Sequence, residues 1–207
     1  MDRTYFKYKD WLHTAADSPF MSPEHPLPVV IVLAAGRGER FAASGGTVHK
    51  LQALLAGKPV MEHVLDAVKA SGLQHHVVGA DASRPGMGDS IVAGVRATPD
   101  AAGWLILPAD LPLVSSDTLR AVATAPPCAV TVPLYQGQRG HPVRFAAECR
   151  EKLLNLEGNS GAAPVIRAYS ATNSVALMEL DDAGIVTDID TLEDLQRAAD
   201  LLAQRAG

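Results

Sequence analysis

From residue 29 onward, short runs of apolar, β-branched residues alternate with stretches whose apolar positions recur at helical spacing. Val29, Val30, Ile31, Val32 and Leu33 form an unbroken apolar run, the pattern of a strand covered on both faces, and it breaks at a glycine-rich stretch ending in Arg40. Pro59 then opens a predicted helix to residue 70, and Gly72 closes it at the position where a left-handed residue is favoured. A strand at residues 75–78 is followed by a helix to residue 97, capped by Asp89 or Ser90. A third strand at 104–107 precedes a helix capped by Ser115 or Ser116 and running through residue 123. Residues 129–135 and 142–145 flank Gly137-Gln138-Arg139-Gly140, which reads as a hairpin. Two helices near 146–154 and 161–169, a strand at 174–180, and a last helix to about residue 204 with a Thr191–Asp194 capping box complete the chain. Strands that alternate with helices in this way predict an α/β fold, a doubly wound and mostly parallel sheet with helices on both faces.

The 207 residues suit one domain, placed at residues 27–207, because a chain of this size can bury roughly 70% of its unfolded surface in a single core. A composition of 47% apolar and 20% charged residues is that of a globular chain. A net charge of −5 without clustered Lys or Arg argues against nucleic acid as a partner. The apolar run that begins at Val29 is far shorter than the ~20 residues a membrane span needs, so no membrane partner is expected. Cys128 and Cys149 form no C-x-x-C, which fits a reducing cytoplasm. Residues 1–26 mix charges with aromatics and read as an N-terminal extension that packs against nothing. Met21 offers a second start, leaving residues 1–20 either native or upstream of the natural beginning.

In doubly wound sheets, ligands bind beyond the carboxyl ends of the strands, so the residues just past each strand carry the chemistry. After the first strand, Gly36-Arg37-Gly38-Glu39-Arg40 has glycines that let backbone N–H groups approach a phosphate and an arginine that can fork onto its oxygens. The loop matches neither G-x-G-x-x-G nor the Walker pattern, and a plain strand-to-helix turn explains it equally well. Lys50 follows a small-residue stretch and is either a phosphate ligand or a solvated lysine. Asp110 stands between Pro108 and Pro112 at the end of the 104–107 strand, where a hard cation such as Mg²⁺ would find a carboxylate oxygen. Asp188 and Asp190 offer further acids, although Asp190 could simply cap the last helix and Asp188 lie on the surface.

Taken in order, Leu33-Ala34-Ala35-Gly36-x-Gly38-x-Arg40, His49-Lys50-Leu51, Gly57-Lys58-Pro59-Val60, Gly86-Met87-Gly88-Asp89-Ser90, Asp110-Leu111-Pro112, Gly140-His141-Pro142 and Asp188-Ile189-Asp190-Thr191 resemble the MobA-like nucleotidyltransferases, and among them the molybdenum cofactor cytidylyltransferases most of all. The resemblance implies a Rossmann-like nucleotidyltransferase in the cytoplasm. It would transfer CMP from CTP to the phosphate of a molybdopterin-type acceptor, release pyrophosphate, and serve a molybdoenzyme or its chaperone. It also implies roles: Leu33, Ala34, Ala35, Gly36, Gly38, Arg40 and Lys50 toward the nucleotide, and Gly86, Gly88 and Ser90 toward base and ribose. Asp110 and Asp190 would hold Mg²⁺, while Arg40, Lys50 and Asp110 would carry catalysis. His141 falls on the acceptor side unless it is a turn residue, and Arg144 either meets the acceptor phosphate or is an ordinary strand arginine.

Several departures bear on these roles. The stretch between the second strand and Gly86 is short, which predicts a smaller sheet, and the loop from Arg40 to Lys50 is long. Asn159 and Ala163 replace an acid and an arginine frequent in the family, which opens the acceptor to another phosphorylated small molecule such as a sugar phosphate. A carrier of the cofactor without turnover is a reading of a different class.

Overall fold

The computed structural model describes residues 4–10, 26–81, 83 and 86–206. Most of the expected N-terminal extension, the second start at Met21, and Arg84-Pro85 lie outside the described residues. Ten strands are described: β1 Thr4–Lys7, β2 Val29–Ala34, β3 Leu54–Leu55, β4 Lys58–Pro59, β5 His75–Gly79, β6 Gly103–Pro108, β7 Val130–Tyr135, β8 Gln138–Arg139, β9 Val143–Ala146 and β10 Val175–Glu179. The helices are α1 Glu39–Ala43, α2 Val60–Ser71, α3 Met87–Ala97, α4 Ser116–Ala123, α5 Arg150–Leu154, α6 Ala163–Ser170 and α7 Leu192–Ala206.

The main sheet runs β1-β10-β7-β9-β6-β2-β5, with β8 paired to β7. Its pairs are parallel except around β9, which lies antiparallel between β6 and β7, and at the short β7–β8 hairpin. The fully apolar β2 has the burial its sequence demands, because successive side chains leave on opposite faces and both faces are covered. Val30 and Val32 enter one core with Val64 and Val68 of α2 and Leu119 of α4, while Ile31 and Leu33 enter the other with Ile91 and Val95 of α3 and Leu153 of α5. Helix α3 sits so close to the sheet that a Cβ on Gly94 would come within 2.5 Å of Ile31, so only glycine fits there.

Two local expectations are corrected. The α3 helix starts at Met87, ahead of Asp89, because Gly86 takes the N-cap and the Asp89 carboxylate reaches back to accept its N–H at 3.1 Å. Residues 4–7, expected to pack against nothing, add a parallel edge strand to β10, with Phe6 and Tyr8 against the first core. Four residues are too few for apolar periodicity to reveal a strand; the exposed edge of β10 supplies the pairing. Elsewhere the boundaries agree closely: Ser115 caps α4 through the N–H of Thr118, Gly72 closes α2 at φ 73, and Thr191 and Asp194 form the box before α7.

Candidate active site

The carboxyl ends of β2 and β6 open into a cleft of about 720 Å³. One wall is the chain from Ala35 to Arg40 with Lys50 and the start of α3 at Gly86, Met87 and Ser90. The other carries Gln138, Arg139, His141, Ile185, Val186 and Asp188, and Asp110 and Asp190 lie between the two walls.

Asp110 and Asp190 are eighty residues apart in sequence and meet through backbone geometry. The N–H of Ile189 donates to the carbonyl of Asp110 at 2.9 Å, which docks the 188–190 stretch on the end of β6. Asp194 accepts from the backbone of Asp190 and Thr191 and from the Thr191 hydroxyl, so it does the capping of α7. The Asp190 carboxylate is thereby free of that task and lines the cleft, so the capping reading of Asp190 is corrected to Asp194.

Lys50 lies between these acids. Its Nζ is 2.7 Å from Asp110 Oδ2 and 2.8 Å from Asp190 Oδ1, and the residue is only 7% exposed. Burial works against the charge, but the two carboxylates outweigh it and hold the ammonium above its ordinary pKa. A solvated loop lysine is excluded. Arg40 reaches the other oxygen of Asp190 at 2.6 Å while its side chain stays largely in solvent, so it can turn to an incoming anion. Asp188 also lines the cleft; burial, with Asp190, Asp110 and Asp194 nearby, raises its carboxyl above the usual range. A cation entering here would relieve that crowding of acids.

His141 takes its place from the backbone: its N–H donates to Ile185 at 3.0 Å, and the preceding Gly140 packs so tightly on Ile185 that a Cβ would approach within 2.6 Å. Burial pushes the imidazole below its ordinary pKa, with Asp110 opposing. Leu33, Ala35, Gly36 and Gly38 border the cleft as expected. Three expected site residues do not. Ala34 packs into the first core, and Gly88 serves close packing, its missing Cβ leaving room for the backbone of Glu157 and Gly158. Arg144, on β9, turns away and donates to the carbonyl of Ala125 at 2.6 Å. The alternation of a strand decides this, since residues of opposite parity leave by opposite faces.

Sequence reading passed over Arg139 and gave His49 no role. Arg139 carries a cation on the wall facing Lys50 and has no ion-pair partner among the described residues. Nothing local in Gly137-Gln138-Arg139-Gly140 distinguishes it from a solvated hairpin arginine. His49 was visible as the neighbour of Lys50, and its ring nitrogens bond Gly36 and Leu51.

The chain is 26% identical over 194 residues to the purine catabolism protein PucB of Bacillus subtilis, an alignment covering 82% of this chain and 94% of that one. Its fold is similar to that of a nucleotidyl transferase from Methanothermobacter thermautotroptrophicus, at a TM-score of 0.73 and 22% identity, over 86% of this chain and 99% of the other. The manganese complex of Rv0371c from Mycobacterium tuberculosis superposes at a TM-score of 0.64 and 22% identity, over 83% and 97% of the two chains. The model of the MobA-like NTP transferase domain matches residues 30–173, which take in the glycine-rich loop, Lys50, Asp110 and His141. With an α/β sheet that carries those residues to one cleft, the protein belongs to the MobA-like NTP transferase family and is a nucleotidyltransferase.

Proposed function

We propose that the protein transfers a cytidylyl group from CTP to the phosphate of a molybdopterin-type cofactor and releases pyrophosphate. The observation that carries the chemistry is the Lys50 ammonium clasped between the Asp110 and Asp190 carboxylates, which marks one point in the cleft where two acids converge on a positive charge. That donor set fits a hard divalent cation such as Mg²⁺, which takes one or two carboxylates and completes its shell with phosphate and water. Asp110 and Asp190 would hold it, and when bound it would neutralise charge on the triphosphate. Manganese in the Rv0371c complex supports a divalent metal.

The rest falls to the chain itself. The backbone from Gly36 to Gly38, with Arg40 and Lys50, orients the triphosphate, and the start of α3 at Gly86 and Ser90 borders the nucleoside. An oxygen of the acceptor phosphate attacks the α-phosphorus; the new P–O bond forms as the bond to the bridging oxygen breaks and pyrophosphate departs. No general base is required, because that phosphate is already ionised at neutral pH. Positioning and charge neutralisation are what the cleft supplies. The choice of CTP and of a molybdopterin-type acceptor rests on the motif resemblance, Ala34-Ala35-Gly36 matching the cytidylyl branch.

The test is to incubate the protein and MgCl₂ with each of the four triphosphates and purified molybdenum cofactor, and to measure pyrophosphate and dinucleotide product. Both are expected with CTP. Turnover with GTP alone would overturn the donor, and turnover with a sugar phosphate but none with molybdenum cofactor would overturn the acceptor.

A further inference from the structure

We infer that His49 is a positioning residue that locks the phosphate loop and Lys50 into one rigid unit. The inference rests on reading the stretch from Gly36 to Lys50 as the triphosphate site, and it is independent of which acceptor is used.

The imidazole makes two hydrogen bonds, and together they define its tautomer. Leu51 N–H donates to Nδ1 at 3.3 Å, so Nδ1 is the unprotonated nitrogen. The proton therefore sits on Nε2, which lies 2.9 Å from the carbonyl of Gly36 and donates to it. One end of the ring caps the single 3-10 turn Lys50–Gln52, from whose first residue the Lys50 side chain departs. The other end grips the glycine-rich loop. The ring thus joins two segments that are thirteen residues apart in the chain.

Gly38 adopts φ +67, a left-handed conformation that glycine takes without strain, and a Cβ there would lie 3.5 Å from the His49 ring and from Lys50 Cγ. A Cβ on Gly36 would lie 3.8 Å from Lys50 Cε, so the lysine stem runs along the loop at van der Waals distance. Holding the Gly36 carbonyl also orients its peptide plane. In a trans peptide the Arg37 N–H points the opposite way, away from His49, and it has no acceptor among the described residues. The tie leaves that donor available to an anion in the cleft.

Between loop and lysine, α1 is anchored by buried Phe41, while residues 42–49 are mostly exposed and include Gly45 and Gly46, so the covalent path past α1 ties the Gly36 loop to Lys50 only loosely. Lys50 keeps its two carboxylates without the tie, but the loop must then be ordered against it when the nucleotide binds, and that ordering is lost from affinity.

Binding of the triphosphate that the parent takes most tightly, with MgCl₂, is measured by titration calorimetry for the parent, Lys50→Met, His49→Ala, His49→Gln and His49→Asn. The melting temperature without nucleotide is recorded for each. A glutamine keeps a donor long enough for the Gly36 carbonyl, whereas an asparagine keeps only the short acceptor that caps Leu51. His49→Ala is expected to raise the Kd about 3- to 10-fold, the size of one hydrogen bond, with the acceptor KM unchanged. His49→Gln should recover most of the affinity and His49→Asn little of it. Parent-like binding by His49→Ala, or full recovery by His49→Asn alone, would overturn the inference, since the residue would then be idle or only a cap. If Lys50→Met also binds like the parent, the reading of the triphosphate site falls, and the inference with it.

Discussion

On one wall of the cleft the polar side chains are already engaged: Lys50 of the 3-10 turn with Asp110 and Asp190, Arg40 of α1 with Asp190, and the His49 ring with the Gly36 carbonyl. On the facing wall, His141 is placed through its own backbone on Ile185, while Arg139 has no ion-pair partner among the described residues. The first wall is electrostatically cross-linked to the floor, so a cation or anion entering must exchange with existing partners. The second holds His141 by a backbone bond and leaves the Arg139 cation open, which under the proposed function suits a surface that receives a separate phosphorylated molecule. Under the proposed function, the difference teaches that the two substrates would meet different resistance: nucleotide binding would rearrange ion pairs, and acceptor binding would fill a ready-made surface.

The sharpest way to break the comparison is at the floor shared by both walls. Asp110→Asn keeps the shape and removes the charge that pairs with Lys50, so turnover should fall at least ~10²-fold while the circular dichroism spectrum is unchanged. Asp190→Asn should be milder, because an amide oxygen still serves a hard cation. Pyrophosphate release across a Mg²⁺ titration measures both; a folded Asp110→Asn enzyme with parental turnover would remove the centre of the mechanism.

The facing wall is tested by His141→Ala, expected to raise the acceptor KM by about tenfold or less while triphosphate Kd stays within twofold, as one lost hydrogen-bonding contact predicts. Arg144→Met is its control: the loss of a part-buried, charge-assisted bond to Ala125 costs about 1–2 kcal/mol and lowers the melting temperature by a few degrees, with acceptor KM unmoved. A rise in acceptor KM for Arg144→Met would return that arginine to the cleft.

Smaller effects follow. In MgCl₂, CTP should raise the melting temperature more than GTP through binding linkage, and equal or reversed shifts would speak against the cytidylyl reading of the nucleotide wall. Removing residues 1–10 takes β1 with Phe6, and Tyr8 just beyond it, off the edge of β10, and none of these residues lines the cleft. The melting temperature should drop by a few degrees, consistent with ~1–3 kcal/mol of apolar burial, and turnover at 25 °C should hold.

Much of the sheet and most of the residues on the glycine-loop side of the cleft were legible in the chain. An apolar run such as that of β2 can satisfy its backbone and bury every side chain only as an interior strand, and a glycine-rich turn after it, an acid at the end of β6, and the Thr191–Asp194 box are local signals with local causes. What the tertiary structure alone decided concerns direction and distance. Whether Arg144 or Arg139 faces the cleft depends on how β9 and the short β7–β8 hairpin set their faces against the sheet, and β1 is a strand only because β10 offers an edge. Asp110 stands out in sequence by its place just past β6, but Asp190 reads equally well as a helix cap, and nothing in the chain ties one to the other. They become a pair because the Ile189 N–H docks on the Asp110 carbonyl, and Lys50 becomes their counter-ion because packing brings it to both, where close like charges require a cation.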